Sequence, residues 1–248
     1  MSAGILKMPV VLRLPNGSKY AAQHSQDWVA MAAHVPGLKV VYPITPYDAK
    51  GMMNAALSGT DPVVFFESQN FYDKPEMFHE EGVPEGYYEV PFGEPALRKA
   101  GEDVTILTIG PSLYKALDAA KILEEKYGVS AEVIDARSVV PFNYEPVCKS
   151  VEKTGRILLV SEACTRGSIL TDMAPNISQL SFDYLDAAPY VLGAQNWVTP
   201  ASEYDEYFFP QVDDILDAIN EKLLPLEGRE GNPKFRKAEQ LRKARLGV

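Results

Sequence analysis

Residues 101–136 read GEDVTILTIGPSLYKALDAAKILEEKYGVSAEVIDA, and the order of residue types within them sets the fold class. Val104 to Ile109 is a short apolar run rich in branched side chains, as expected of a strand buried on both faces. From Ser112 to Tyr127, Leu113, Leu117 and Ala120 share one face while Lys121, Glu124, Glu125 and Lys126 populate the other. That spacing predicts an amphipathic helix, and Gly128 terminates it. A second apolar run, Ala131 to Ile134, follows at once.

The same alternation extends outward. Met8 to Leu14, Leu38 to Tyr42, Val63 to Glu67, Ile157 to Ser161 and Tyr190 to Leu192 read as further strands. Thr45 can cap a helix in which Pro46 fits the first turn and Asp48 favours the amino-terminal dipole end, with a stop near Gly59. Helices are also expected over Tyr144 to Lys153, Gly167 to Leu180 and Val212 to Leu223, the second kinked or shortened by Pro175. Strands alternating with helices imply an α/β protein with a mainly parallel sheet covered on both faces. Between Ser68 and Lys99 the alternation stops, and a stretch dense in Pro, Gly, Glu and aromatic residues reads as an interdomain linker. The expected division is residues 1–83, a linker at 84–93, a second domain over 94–227 and a tail at 228–248. The first unit, with three strands, is small for a doubly wound domain and is expected to be truncated.

Composition narrows the function classes. The 34 acidic against 24 basic residues give a net charge of -10, which argues against nucleic acid, since phosphate binding needs a basic surface. The exception is the tail, where seven Lys or Arg outnumber Glu230 and Glu239, so it reads either as a solvated extension or as a docking arm. No apolar run reaches the roughly 18 residues of a membrane span, and the start lacks a basic front with a cleavage site, so a soluble cytoplasmic protein is expected. Cys148 and Cys164 form no CxxC pair, which leaves neither a disulfide framework nor a cysteine zinc site. The turn after Val104 to Ile109 is Gly110-Pro111-Ser112, with one glycine where a dinucleotide fold needs several. A phosphate-cradling GxxxxGK[ST], a GxSxG elbow and a His pair at metal-ligand spacing are all missing from the sequence.

What remains is the polar segment Tyr20-Ala21-Ala22-Gln23-His24-Ser25-Gln26-Asp27-Trp28, between a strand and a helix, where α/β sheets place functional groups. Read in order, AAQHSQ, AHVPGLKVVYPITPYDAKGMM, DPVVFFE, GEDVTILTIG, VSAEVIDARSVVPFN and KTGRILLVSEA closely resemble the beta subunit of thiamine-diphosphate-dependent 2-oxo acid dehydrogenases. These are the decarboxylating components of the pyruvate, branched-chain and acetoin complexes. The resemblance runs from about Lys7 to Leu224 and implies a truncated transketolase-like pyrimidine-binding domain followed by a transketolase C-terminal-like α/β domain.

The resemblance carries expectations residue by residue. It makes His24 the candidate for proton transfer and for passing the acyl group to a lipoyl arm, with Gln23 and Ser25 beside it. An imidazole suits this, because its unperturbed pKa lies near neutrality. Ala56, Gly59 and Asp61 match a loop that holds potassium through backbone carbonyls, although some members carry an acidic side chain where this chain has Gly59, which also reads as a helix stop. Arg137 and Glu162 match positions where the second domain meets neighbouring chains; each also reads as half of a surface ion pair. Thiamine diphosphate and magnesium are implied for the assembled complex only. The segment that supplies the ring-activating glutamate is expected to be missing, and the GDG motif that holds magnesium and diphosphate belongs to an alpha subunit. That subunit and a dihydrolipoyl acyltransferase are the implied partners, in a hetero-oligomer. The alternative is a noncatalytic assembly module derived from the same subunit.

Overall fold

The computed structural model describes residues 5–17 and 25–231. In chain order it contains β1 (Val11–Pro15), α1 (Val29–Ala33), β2 (Lys39–Val41), α2 (Pro46–Ser58) and β3 (Val63–Glu67). After a long irregular stretch come β4 (Ala96–Lys99), β5 (Val104–Thr108), α3 (Ser112–Tyr127), β6 (Ala131–Asp135) and β7 (Ser138–Val140). Then follow α4 (Glu145–Thr154), β8 (Ile157–Cys164), α5 (Leu170–Leu180), β9 (Tyr190–Ala194), α6 (Asp205–Phe208) and α7 (Val212–Lys222).

Two sheets result. The larger has the order β4-β6-β5-β8-β9, parallel except for β4 on the edge. Alternation along its strands sends Ile106, Leu158 and Val160 toward Leu113, Ala116 and Leu123 of α3 and Ile215 and Ile219 of α7. Leu107, Ile157 and Leu159 go the other way, onto Val147 and Val151 of α4 and Met173 and Ile177 of α5. Each of these side chains is almost fully buried, and burying a Val, Leu, Ile or Met among them is worth about 1.5–3 kcal/mol. At the end of α3, Gly128 takes a left-handed φ of +66°, which lets its own N–H and that of Val129 reach the carbonyls of Glu124 and Leu123.

The smaller sheet has the order β1-β3-β2-β7. β1 and β2 run parallel to β3, whereas β7 pairs antiparallel with β2 through Val40–Val140 and Val41–Ser138. Chain order assigns β7 to the second domain; in space it completes the sheet of the first. Neither β7 nor β4 stands out in the sequence, being three and four residues long, and both are antiparallel edge strands.

Other expectations shift in detail. The helix expected from Gly167 begins at Leu170 and continues through Pro175, because Leu170, Met173, Ala174 and Ile177 gain more by burial than the missing hydrogen bond costs. The linker region is packed rather than free. Tyr88 stacks on Tyr47 of α2 at 4.6 Å between centroids, His79 stacks on the same ring at 3.6 Å, and Asn54 Nδ2 donates to the Tyr88 carbonyl at 2.8 Å. Gly51 makes room for this strap, since a Cβ there would lie 2.5 Å from Val90 and 2.7 Å from Tyr88. The basic tail also starts with an anchored residue: Arg229 Nε donates to the buried Asp217 at 2.7 Å and Nη2 to Asp213 at 3.2 Å. Its residues from 232 onward lie outside the described residues.

Candidate functional site

The carboxyl ends of parallel strands gather groups that the strands themselves cannot pair, and here those of β1, β2 and β3 meet the second domain. Asn16, one residue past β1 and 2% exposed, is held by its N–H on the Glu67 carbonyl at 2.9 Å. Its side-chain Nδ2 donates to Asp27 Oδ2 at 2.7 Å, and its Oδ1 accepts from the Trp28 N–H at 2.8 Å. Asp27 Oδ1 in turn accepts from the Val29 N–H at 3.1 Å at the start of α1. From β2, the buried Tyr42 hydroxyl donates to the Asn16 carbonyl at 3.0 Å. Residues 16 and 27–29 are thereby tied together.

The second domain closes over the same point. A Cβ built on Gly17 would lie 2.8 Å from Glu162 Oε2 and 2.9 Å from the Tyr42 hydroxyl, so only glycine fits at φ +84°. Gln26 Oε1 accepts from Thr199 Oγ1 at 3.1 Å, a hydrogen bond across the seam. Burial pushes the Asp27 carboxyl up from its ordinary 3.8 to about 6, and the Glu162 charge adds to the rise against the pull of the Asn16 and Val29 hydrogen bonds. The residue as a whole keeps some exposure, but both carboxyl oxygens turn inward, and their surroundings set the acidity. Tyr42 is held well above the usual phenol range by burial and by the charges of Glu162 and Asp27.

Beside this point, a buried ion cluster joins the two domains. Arg98 Nη2 contacts Asp48 of α2 and, at 3.1 Å, Asp135 at the end of β6; Arg137 Nη1 donates to Asp48 at 2.9 Å. Arg137, at φ +57°, is where the chain leaves the larger sheet for the smaller one. Its N–H donates to Asp135 Oδ1 at 3.1 Å, and its carbonyl accepts from Tyr42 N at 2.7 Å. Burial raises Asp135 to about 6 despite the Arg98 charge, with Asp48 adding to the rise.

The sequence-derived candidates distribute as follows. His24 and Gln23 lie outside the described residues; Ser25 is described and is 4% exposed at the returning end of the segment. Ala56 is buried on α2, Gly59 is the residue that stops that helix, and the Asp61 carboxylate pairs with Lys39 Nζ at 3.0 Å. Arg137 and Glu162 do not form the exposed ion pairs that a surface reading of them expects. Arg137 Nη1 reaches a carboxylate only 1% exposed, and the Glu162 side chain, 3% exposed, lies 3.7 Å from Lys115. Asn16, Asp27 and Arg98 do not stand out in the sequence, and the only signal for the first two is their position at the edges of the polar segment.

The described residues do not form a magnesium-diphosphate site. No three His, Cys, Asp or Glu side chains among them gather to hold a metal, and the strand-to-helix turn at Gly110 is filled by the Tyr42 ring, 2.5 Å from where a Cβ would stand. At the proposed potassium loop, the Ala55 and Ala56 carbonyls at the end of α2 lie 3.4 and 3.6 Å from the Cβ position of Gly59.

Comparison with known proteins is consistent with this architecture. Residues 1–74 match the transketolase pyrimidine-binding domain and residues 93–215 the transketolase C-terminal domain. Over 226 residues the chain is 38% identical to the acetoin:2,6-dichlorophenolindophenol oxidoreductase subunit beta of Cupriavidus necator, covering 90% of this chain and 65% of that protein. It is 36% identical over 222 residues to the pyruvate dehydrogenase E1 component subunit beta of Rickettsia felis, covering 88% and 66%. The chain therefore spans just under two thirds of the length of these relatives. A solved structure described as a split gene transketolase, inactive beta4 tetramer, shares the fold at a TM-score of 0.66 and 22% identity, over 88% of this chain and 67% of that one.

Proposed function

With a transketolase pyrimidine-binding domain and a transketolase C-terminal domain in succession, the chain belongs to the transketolase-like family, and we propose that it serves as beta-subunit portion of a 2-oxo acid dehydrogenase. In this reading it acts with an alpha subunit in the oxidative decarboxylation of a 2-oxo acid, and the acyl group passes to a lipoyl arm. The observation that carries the reading is the match to acetoin and pyruvate subunits across 88–90% of the chain, and the segment bearing His24 lies within the match to the transketolase pyrimidine-binding domain.

Thiamine diphosphate, bound together with the alpha subunit and magnesium, supplies the carbanion-stabilising chemistry. This chain contributes position and protons. His24 gives a proton to the substrate's carbonyl oxygen as negative charge grows there, and takes it back when the acyl group leaves. Gln23 and Ser25 orient it. The seam around Tyr42, Asn16 and Glu162 excludes water behind the segment. Potassium on the carbonyls near Ala56, Gly59 and Asp61, a dihydrolipoyl acyltransferase partner, an oligomeric assembly and a cytoplasmic location belong to the same proposal. Among the described residues no helix is long and apolar enough to cross a membrane.

The test is turnover of the chain assembled with an alpha subunit, with pyruvate or acetoin as substrate and 2,6-dichlorophenolindophenol as electron acceptor. Replacing His24 with Ala should lower turnover by roughly 10²-fold or more, the scale of a positioned acid-base group, while assembly by sedimentation is unchanged. Equal turnover of the variant would remove His24 from the chemistry. An intact assembly that never turns over would favour the noncatalytic module.

A further inference from the structure

Asn16 does more than end a strand. Its side-chain amide uses both of its polar atoms on the far side of an excursion of the chain: Nδ2 on Asp27 at 2.7 Å and Oδ1 on the Trp28 N–H at 2.8 Å. Its main chain is gripped from two further sides, by the Glu67 carbonyl on β3 and by the Tyr42 hydroxyl from the end of β2. An uncharged amide carries its donor and its acceptor on two separate atoms, so it can donate to a carboxylate and accept from a backbone N–H at once. Aspartate, its isostere, lacks the donor. Alanine lacks both.

We propose that Asn16 is a positioning residue: the Asn16–Asp27 clasp, braced by Tyr42, fixes Asp27, which follows His24 by three residues in the chain, against the end of β1, and acts on the reaction through that histidine. The inference rests on the function proposed above, but its structural half concerns described residues alone. The charged and titratable groups about the clasp are Asp27 on the α1 side, Tyr42 from the end of β2, and Glu162 and Cys164 on β8, with Lys115 of α3 lying 3.7 Å from Glu162. The clasp works as built because its donor does not titrate.

That suggests a distinctive variant. In Asn16→Asp, two carboxyls face each other where an amide donated to a carboxylate, and like charges at that distance share one proton. The clasp then becomes proton-dependent, formed through an O–H···O bond in acid and broken in base.

The experiment measures amide hydrogen exchange at Trp28 and Val29 by NMR in the full chain, each variant compared with the unaltered protein at the same pH. Asn16→Asp should raise exchange at both amides by roughly 10-fold or more at pH 8, as expected for loss of a buried hydrogen bond, with most of the difference gone at pH 5.5. Asn16→Ala should raise it at both pH values. In the assembled enzyme, kcat of Asn16→Asp should fall by a similar factor at pH 8 with little change in KM for the 2-oxo acid, and recover relative to the unaltered enzyme toward pH 5.5. Unchanged exchange at Trp28 and Val29 overturns the clasp. Altered exchange with unaltered kcat, in an assembly that His24→Ala does disable, overturns the positioning role. If His24→Ala leaves turnover intact, the function reading is what has failed, and the role assigned to Asn16 in it falls with it.

Discussion

Replacing Asp27 with Asn should leave stability nearly unchanged in mild acid and raise it in base. The Asp27 carboxyl titrates at about 6 in the folded chain against an ordinary 3.8, so folding takes up a proton there. A group raised on folding contributes stability that is fully present below its unfolded value and is lost as pH rises through its folded value. The full difference is about 3 kcal/mol, from roughly 1.4 kcal/mol per pH unit, and about 2 kcal/mol of it falls between pH 4.5 and pH 8. The amide introduced by Asp27→Asn does not titrate and escapes this loss. It can, however, accept only one of the two hydrogen bonds now made to Asn16 and Val29, a loss of about 1 kcal/mol at every pH. Near pH 4.5 the unaltered chain has already lost about 1 kcal/mol of the full difference, which matches the variant's hydrogen-bond loss, so the two should be about equally stable there and the variant about 2 kcal/mol more stable near pH 8. At roughly 2–4 °C per kcal/mol for a chain of this size, the difference in Tm between the two should swing by about 4–8 °C over that range. Thermal melts of the full chain followed by circular dichroism, in buffers of matched ionic strength, measure it. A difference in Tm that stays constant from pH 4.5 to pH 8 would refute the assignment of a proton to Asp27.

Two further outcomes follow from buried charges. Arg98→Ala strips a guanidinium from Asp48 and Asp135, whose side chains are 1% and 0% exposed, and should cost about 3–5 kcal/mol in urea unfolding at pH 8. Asp135, with Arg98 gone, holds its proton still more tightly when folded, so the deficit should shrink as pH falls toward 5; a deficit that grows in acid would contradict the cluster as described. At the other end, a chain cut after Glu227 loses Arg229 and leaves Asp217 buried without it, whereas a chain cut after Gly231 keeps the pair. The first should melt several degrees below the second, and equal melting would show that Arg229 is dispensable.

The larger part of the fold follows from short-range patterns. β5, α3 and β6 are legible because Val104 to Ile109, the one-sided spacing of Leu113, Leu117 and Ala120, and the stop at Gly128 are each decided by neighbours within a few residues. The order of six such strings was enough to reach the family that both domain matches support. What tertiary structure alone decided has a common physical cause. β7 is three residues whose only reason to be a strand is β2, far back in the chain, and β4 is a strand because β6 offers it an edge. Asn16 and Asp27 look like any polar residues at the borders of a loop until Tyr42 and Glu162 close over them. Arg98 does not stand out in the sequence and Arg137 reads equally well as half of a surface ion pair; their burial is tolerable only because Asp48 and Asp135 come to them from other elements. Local sequence determines which segments fold into which elements, since propensity and hydrophobic period act over one or two turns. The acidity of a buried carboxyl, the partner of an edge strand and the base of the histidine-bearing segment depend on groups brought together only when the two domains pack, and the sequence carries no local record of them.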